Sequence, residues 1–367
     1  PTGALRIKSS VELVKEAIAD PNTLTVVQVA PSVRVGVGEL LGFGAGKNSM
    51  EKLVGALRTL GFDWVHDTVY SADLTVVEEG NEFLDRLHNG GRLPLLTSCC
   101  PAWVKYCEEN FPEFRDNIST CRSPQQMLGS VLRKFYEAPE RSGGRRVVSV
   151  SIMPCTAKKA EILRPESYTD GKRDIDFSLT TDELLGWMAA EGLTAETCPE
   201  SPADDPFCLG SGGGTIFGVT GGVTEAVLRY LSPKLGFSGY AWTADAGARG
   251  FQGIKRITLE VNGAPVRIAV VSGLKNAKEL LQRVRDGEEQ FELIEVMACP
   301  GGCIMGGGQP ADVYRSLLRR QARSRGLYDT DGTTAIKASQ ENESMHRFWE
   351  TFIAGQEHTL LHRNFGG

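Results

Sequence analysis

The chain has 367 residues, of which 41% are hydrophobic and 23% are charged, and its formal net charge is −6. These values are typical of a globular protein and argue against a nucleic-acid surface, which needs clustered lysine and arginine. No apolar run approaches the roughly 18–20 residues of a membrane span, and no signal peptide is visible. We therefore expect a cytoplasmic protein without a membrane span, although the chain begins at Pro1 and a leader could have preceded it.

The first part of the chain alternates between predicted helices and strands. Ser9 and Glu12 have the spacing of a capping box, which predicts an amphipathic helix that runs to about Ala19. A buried strand is predicted over 24–30, a helix over 49–60, a strand over 64–70 and a helix over 72–88.

Three predicted strands run directly into cysteines. They cover 93–98, 146–153 and 294–298, and they lead to Cys99 and Cys100, to Cys155 and to Cys299. Ligand sites in α/β folds lie at the carboxyl ends of strands. The pattern therefore predicts that these cysteines share a site.

The remaining pattern gives the fold class. Helices are predicted over 181–191 and 223–232, and a hairpin over 254–272 turns at Asn262–Gly263. We expect an α/β fold with two lobes of mainly parallel or mixed sheet, flanked by helices, with an active site buried between the lobes and a helical C-terminal wrap. The expected units are 1–160, 161–310 with the cluster-binding loop, and 311–367.

Nine cysteines in a long chain favour metal ligation over a disulfide framework, because the count is odd. Four of them stand in distinctive contexts: Cys100 in T-S-C-C-P-A-W, Cys155 in M-P-C-T-A-K-K, and Cys299 with Cys303 in C-P-G-G-C-I-M-G-G-G. Four thiolates suit a [4Fe–4S] cluster. Zinc is the rival, although it usually takes two close cysteine pairs and only one is present here. Four unrelated buried thiols are the third possibility.

Taken together, the three cysteine segments resemble the three signature motifs of the [FeFe]-hydrogenases, in the same order and at similar spacing. The resemblance covers nearly the whole chain, including weaker matches at 325–328, 339–342 and 358–362 to the family's small-subunit segment. It implies reversible reduction of protons to H2 at an H-cluster. That cofactor is a [4Fe–4S] cluster joined to a diiron subsite with CO, cyanide and azadithiolate ligands.

The resemblance also implies roles for individual residues. Cys100, Cys155, Cys299 and Cys303 would hold the [4Fe–4S] part, and Cys303 would also bridge to the diiron subsite. Further residues would contact the diiron subsite: Lys158 would donate to one cyanide, Ser32 and the Pro31 backbone would meet the other, and Met153, Met297 and Phe217 would form the wall.

A proton path is implied as well. Cys99 would be the last proton carrier, and Glu79, Glu82, Arg86 and Ser119 match the family's relay to the surface. Glu79 and Glu82 are three residues apart on one predicted helix, so they share a face. Without the resemblance, these side chains would be interpreted as a solvated helix face, Cys99 as a small buried residue, and Lys158 as a surface lysine.

Other chemically suggestive residues receive a structural interpretation. Cys107, Cys121, Cys198 and Cys208 have no ligand spacing, and His358 with His362 is interpreted as helix surface. The segment 42–47 only weakly resembles a phosphate-binding loop, because Asn48 replaces the required serine or threonine.

The implied partners are H2, protons, the hydrogenase maturation proteins and a source of electrons. No C-x2-C-x2-C-x3-C run occurs in the sequence, so electrons would come from a ferredoxin-like carrier or from an accessory-cluster domain or subunit outside this chain. A basic stretch from Arg133 to Arg146 could dock an acidic carrier, but such runs are commonly solvated faces.

Two other functions stay open. One is a non-catalytic Fe–S protein of the Narf type, which would keep the cluster cysteines and lose Cys99 and Lys158. The other is an H2-sensing domain, which would alter the proton path. The presence of Cys99, Lys158 and the relay residues favours turnover.

Overall fold

The computed structural model describes residues 7–39, 42, 44–261, 263–310 and 316–363. The strands are β1 (Thr23–Val29), β2 (Trp64–Asp67), β3 (Leu95–Leu96), β4 (Arg146–Met153), β5 (Tyr168–Thr169), β6 (Lys172–Arg173), β7 (Phe177–Thr180), β8 (Ile254–Val261), β9 (Ala264–Ser272) and β10 (Leu293–Met297).

Helices surround these strands. They are α1 (Val11–Ala19), α2 (Val33–Gly36), α3 (Met50–Thr59), α4 (Val69–Asn89), α5 (Pro101–Asn110), α6 (Pro124–Tyr136), α7 (Pro139–Ser142), α8 (Ala157–Glu161), α9 (Thr181–Ala190), α10 (Gly212–Thr215), α11 (Gly222–Leu231), α12 (Ala241–Asp245), α13 (Leu274–Arg285), α14 (Ser316–Thr333), α15 (Glu343–Phe348) and α16 (Glu357–Leu360).

The first sheet is parallel and has the strand order β2-β1-β4-β7. Every residue of β1 is buried, and so is every residue of β4 after Arg146. Strands covered on both faces are rich in apolar β-branched residues, which explains why the continuous runs of valine predicted strands here.

The second sheet has the order β3-β10-β9-β8 and is mixed. β10 is parallel to both β3 and β9, whereas β8 and β9 form an antiparallel hairpin. The predicted turn of that hairpin includes Asn262, which lies outside the described residues.

The two sheets do not separate at residue 160. β3 lies in the first 160 residues but pairs with β10, and β7 follows residue 160 but pairs with β4. Each sheet therefore takes one edge strand from the other side of this position, which the predicted division of the chain did not foresee.

The C-terminal segment wraps around the body as expected. Arg323 of α14 is buried, and its guanidinium donates to Glu39 Oε1 at 2.9 Å and to the Ile304 carbonyl at 2.9 Å. Farther along, Ser339 and Asn342 both donate to the buried carboxylate of Asp73. The wrap is thus held by hydrogen bonds to buried charges as well as by apolar contact.

Several local predictions were wrong in detail. The strand predicted over 64–70 ends at Asp67 and α4 begins at Val69, because Asp67 Oδ1 accepts from the Val69 N–H and from Arg34 and so turns the chain. Ser9 does not form a capping box, since the helix begins after Ser10, whose side chain makes no cap hydrogen bond, and Ser9 Oγ accepts from the Val11 N–H at 3.2 Å instead. The strand predicted over 93–98 is reduced to Leu95–Leu96.

Candidate cluster-binding site

The ends of strands β3, β4 and β10 meet at one cavity of about 90 Å³. β3 is an edge strand of the second sheet, and β4 and β10 are central strands of the first and second sheets. Cys100 follows β3 and precedes α5, Cys155 lies two residues after β4, and Cys299 lies two residues after β10. All three line the cavity together with Cys303. The structure therefore brings together the four cysteines that the sequence singled out.

Cys303 reaches the cavity through a glycine turn. Gly302 has a φ of +93°, which favours glycine, and a Cβ on it would lie 2.6 Å from the backbone nitrogen of Thr220. A side chain at this position would push the loop away from Thr220. The glycine therefore helps to fix where the Cys303 thiol lies.

The four thiols influence one another electrostatically. Burial raises the pKa of Cys155 to about 11, with a further contribution from Cys100, and burial also raises the pKa of Cys303 well above its usual range. Thiols bind metals as thiolates, so a bound cation must offset this cost. Four thiols that line one cavity form a donor set that suits a metal centre.

Among the residues that the structure describes, no group of three or more His, Cys, Asp or Glu side chains is placed to hold a single metal ion. The four cysteines line one cavity, and a [4Fe–4S] cluster takes one thiolate for each iron.

Lys158 is buried at the rim of the same cavity. Its ammonium donates to the Cys99 carbonyl at 3.1 Å, to Ser123 Oγ at 2.8 Å and to Glu161 Oε2 at 2.9 Å. Burial alone would lower the pKa of Lys158, but the Glu161 carboxylate outweighs it and the pKa is raised. The side chain is thus a fixed cation, and a ligand in the cavity would have to replace one of its three acceptors.

Ser32 lines the same cavity and offers an unused polar group. Its Oγ is buried and has no hydrogen-bond partner among the described residues, and a Cβ on Gly218 would lie only 2.1 Å from it. Buried hydroxyls normally have partners, so this one is free to meet a bound group. Pro31, Met153, Met297 and Phe217 also line the cavity and give it a largely apolar wall.

Cys99 lines the cavity next to Cys100. Burial raises its pKa, and the nearby carboxyl of Glu79 adds to the effect. Glu79 is itself buried, and burial together with Glu82 raises its pKa to about 8. Its Oε1 accepts from the Ser98 N–H at 3.3 Å, whereas Oε2 has no hydrogen-bond partner among the described residues. A pKa of about 8 favours the protonated form of Glu79 at neutral pH.

The outer relay residues form a connected group. Ser119 Oγ donates to Glu82 Oε2 at 2.7 Å, and Arg86 Nη2 donates to Glu82 Oε1 at 2.5 Å. The Ser119 hydroxyl also lies close enough to Glu79 to offset part of its raised pKa. All of the relay residues predicted from the sequence thus lie in one continuous region between the cavity and the surface.

Three site residues were missed. Glu161 and Ser123 hold the Lys158 ammonium, and Gln125 donates to Glu161 Oε2 at 2.7 Å. Glu161 carried a usable signal, since it lies three residues after Lys158, a spacing that places both on one face of α8. Ser123 and Gln125 carried none, because their contact depends on how α6 packs beside the site.

The basic stretch is far from the cavity and is largely neutralised. Arg146 begins β4, and the cavity residue Met153 ends it, about 23 Å away at the usual rise of a strand. Arg145 pairs with Asp63 at 2.8 Å and Arg133 with Asp176 at 2.6 Å. The stretch is thus poorly placed to deliver electrons to the cysteines.

In the part of the chain that the structure describes, no helix is long and apolar enough to cross a membrane.

Comparisons with known proteins point to one family. The profile of the iron only hydrogenase large subunit, C-terminal domain, matches residues 23–307. The NADP-reducing hydrogenase subunit HndD of Solidesulfovibrio fructosivorans is 42% identical over 378 residues, which cover all of this chain and 64% of that protein. The chain thus spans less than two thirds of that relative.

The chain is also similar to a solved hydrogenase structure and to an iron–sulfur assembly protein. The apo form of the [FeFe]-hydrogenase HydA1 from Chlamydomonas reinhardtii aligns with a TM-score of 0.81 at 34% identity, over 97% of this chain and 98% of that one. The cytosolic iron-sulfur assembly component 3 of Pongo abelii is 30% identical over 355 residues, which cover 91% of this chain and 73% of that protein. With a family profile that matches most of its length and with this fold, the chain belongs to the iron-only, or [FeFe], hydrogenase family.

Proposed function

We propose that this chain catalyses the reversible conversion of protons and electrons into H2 at an H-cluster. One observation carries the proposal: a single buried cavity is lined by Cys100, Cys155, Cys299 and Cys303 and also by Cys99 and Lys158. The first four supply a ligand set, and the last two supply a proton carrier and a cation.

The residues present fit the implied cofactor. The four cysteines would hold the [4Fe–4S] cluster, and Cys303 would bridge to the diiron subsite. When bound, the diiron subsite with its CO, cyanide and azadithiolate ligands supplies the redox chemistry that combines protons with electrons. The free Ser32 hydroxyl and the Lys158 ammonium are suitable donors to its anionic cyanide ligands.

The chain's own part in the reaction is to orient the cofactor, exclude water and move protons. Met153, Met297 and Phe217 line the cavity and would provide apolar walls around the diiron subsite. Cys99 would exchange a proton with the bound cofactor, and protonated Glu79 would exchange it with Cys99. Ser119 would then link Glu79 to Glu82, to which it already donates a hydrogen bond.

Electrons would come from a ferredoxin-like carrier, or from an accessory-cluster domain or subunit. Hydrogenase maturation proteins would insert the diiron subsite.

A second candidate function is Fe–S cluster assembly or binding without turnover, as the similarity to the cytosolic iron-sulfur assembly component suggests. Such a role needs the four cysteines but gives no reason for Cys99 and Lys158 to line the same cavity, or for the buried carboxyl of Glu79 to lie near Cys99. An H2-sensing domain is the third candidate, and it would need no efficient proton path.

An infrared spectrum of the purified chain, produced together with maturation proteins, tests the proposal. Stretching bands from CO and cyanide are expected, and H2 should form with a reduced dye as electron donor. Bands without H2 formation would favour the sensor. Iron and sulfide without such bands, despite active maturation proteins, would favour the assembly-type protein.

A further inference from the structure

We infer that protons leave Glu82 through Thr120 and His362 to Glu78, and that Arg86 serves only to position the Glu82 carboxylate. The inference rests on the proposed hydrogenase function, because it concerns the outer end of the same proton path. It assigns a role to His362 in the C-terminal wrap, which the sequence pattern had placed on a helix surface.

Arg86 is poorly suited to carry protons onward. A guanidinium has no acceptor and stays protonated in proteins. In addition, Arg86 Nη1 donates to the carbonyls of Arg92 at 3.1 Å and Asn117 at 3.0 Å, while Nη2 donates to Glu82 Oε1. The side chain is therefore a fixed cation that holds one oxygen of Glu82.

The other oxygen of Glu82 leads to a chain of groups that can exchange protons. Thr120 Oγ1 lies 3.3 Å from Glu82 Oε2 and 2.9 Å from His362 Nδ1. His362 Nε2 lies 2.7 Å from Glu78 Oε2. The exposed fractions of the His362 and Glu78 side chains are 14% and 12%, so this series of hydrogen-bonded groups ends at the protein surface.

The C-terminal wrap fixes His362 in this position by backbone hydrogen bonds. The Arg122 N–H donates to the Leu361 carbonyl at 2.7 Å, and the Arg363 N–H donates to the Thr120 carbonyl at 2.7 Å. His362 thereby pairs with Cys121 as an isolated antiparallel bridge, with its ring against Thr120. The ring is thus held by the backbone on both sides.

Charged and titratable groups of both signs surround the imidazole. Glu78 and Glu82 face it from α4, and Glu357 and His358 face it from α16, with 5.4 Å between the centroids of the two histidine rings. On the segment that pairs with His362, Cys121 Sγ lies 3.8 Å from Glu82 Oε2, and Arg122 Nε donates to the His362 carbonyl. The carboxylates on the α4 side can stabilise a transient imidazolium.

The transfer balances in four movements of one proton each. A proton on Glu82 Oε2 passes to Thr120 Oγ1 as the threonine gives its own proton to His362 Nδ1. The imidazolium then releases the proton on Nε2 to Glu78 Oε2, from which water removes it. The Thr120 hydroxyl then rotates back, and the imidazole regains its starting tautomer by exchanging its Nδ1 proton for one on Nε2 with surface water. The reverse order brings a proton in.

The first test is an exchange rate that does not depend on turnover. Protonated Glu79 gives an infrared carboxyl band that shifts on deuteration, and mixing the full chain into D2O measures how fast protons reach it from the surface. The measurement uses a Cys99→Val background, which closes the route from the cavity and also abolishes the relay to the cofactor. His362→Gln should slow the exchange about 10- to 100-fold, because glutamine forms hydrogen bonds but does not titrate.

Two further variants and a control make the result specific. Thr120→Val and Glu78→Gln should slow the exchange similarly, while His88→Gln, at an exposed position near the end of α4, should leave it unchanged. Imidazole in the buffer should restore the exchange in His362→Ala, which a purely structural role would not allow. Unchanged exchange in all three path variants would mean that protons leave directly from Glu82, and it would overturn the inference.

A second readout separates this inference from the proposed function. In the loaded enzyme with Cys99 intact, His362→Gln should lower H2 formation about 10-fold or more, with recovery on addition of imidazole. If the unaltered chain forms no H2 but the exchange rates follow the expected order, the path stands and the proposed function fails. Normal H2 formation by His362→Gln would contradict the path and leave the proposed function intact.

Discussion

The ammonium of Lys158 lies 2.9 Å from Oε2 of Glu161, and the exposed fractions of the two side chains are only 11% and 9%. Glu161 Oε2 also accepts from Ser123 and Gln125, so the carboxylate is the common acceptor of three donors. The pair therefore keeps a charged lysine at the edge of the candidate cofactor cavity. Its stability depends on both partners being present.

Replacing Glu161 should test this dependence. Glu161→Gln leaves a buried ammonium without a counter-charge, and we expect the free energy of unfolding to fall by about 3 kcal/mol. The double variant Lys158→Met with Glu161→Gln should recover much of the loss, because it removes both charges. Urea unfolding measures both, and Glu279→Gln, which breaks an exposed pair with Arg283, should change the value by less than about 1 kcal/mol. Equal stability of the single and double variants would argue against the pair as the cause.

The cysteines should differ sharply in their effect on iron binding. Cys155→Ser and Cys299→Ser should each lower the iron and sulfide content of the reconstituted chain and its visible absorption, because serine is a poor ligand for this type of cluster. Cys208→Ser is the matched control, since this thiol lies beside Asp205 and does not line the cavity. Full cluster content in Cys155→Ser, or loss of the cluster in Cys208→Ser, would show that the ligand set is misassigned.

Cys99 should affect turnover without affecting cofactor content. Cys99→Ser replaces the thiol with a group that is much less acidic, and we expect H2 formation to fall about 10²- to 10⁴-fold. The infrared bands of the loaded protein should persist, since the cluster is held by the other cysteines. Turnover near that of the unaltered chain would contradict the proposed relay, and loss of the bands would indicate a structural role.

His66 should make the stability of the chain depend on pH. Its ring is buried between the Asp204 carbonyl and the Tyr136 hydroxyl, and burial lowers its pKa to about 4. Between this value and the unfolded value near 6.5, the unfolded chain binds the extra proton and the folded chain does not. The free energy of unfolding should therefore rise with pH across this window, by about 3 kcal/mol from this group.

The measurement for His66 is a series of urea unfolding curves from pH 4 to pH 7. His66→Gln cannot take up the proton, so its curves should lose this part of the pH dependence even if their overall stability is lower. His88→Gln, at an exposed position, serves as the control. An unchanged pH dependence in His66→Gln would mean that other groups account for it.

The sequence predicted strands best where burial alone determines structure. Strands β1, β4 and β10 consist of apolar runs that are buried throughout or nearly so, and their predicted bounds are close to those observed. The prediction over 64–70 failed because Arg34, far away in sequence, pairs with Asp67 where the chain turns into α4. The exchange of β3 and β7 between the sheets was not foreseen either, because the residues of one strand do not show which distant strand it pairs with.

The residues of the candidate site also fall into those that the sequence predicted and those that it did not. Cys99 and the four candidate ligand cysteines lie in sequence motifs from which their place in a site could be predicted. The structure places all five around one cavity. Ser123, Thr120 and His362 have no such motif, because each acts through a contact with a distant segment of the chain. Predicting them requires the packing of α6 and of the C-terminal wrap against the site.

The exchange of strands between the sheets affects how the cysteine site forms when the chain folds. A chain cut at residue 160 would leave each fragment with an incomplete sheet, and each fragment would also carry only two of the four candidate ligand cysteines. Each half supplies an edge strand to the sheet of the other, so neither half can form the complete binding site alone. We therefore expect iron uptake to require the whole polypeptide and to occur only after the two sheets have come together.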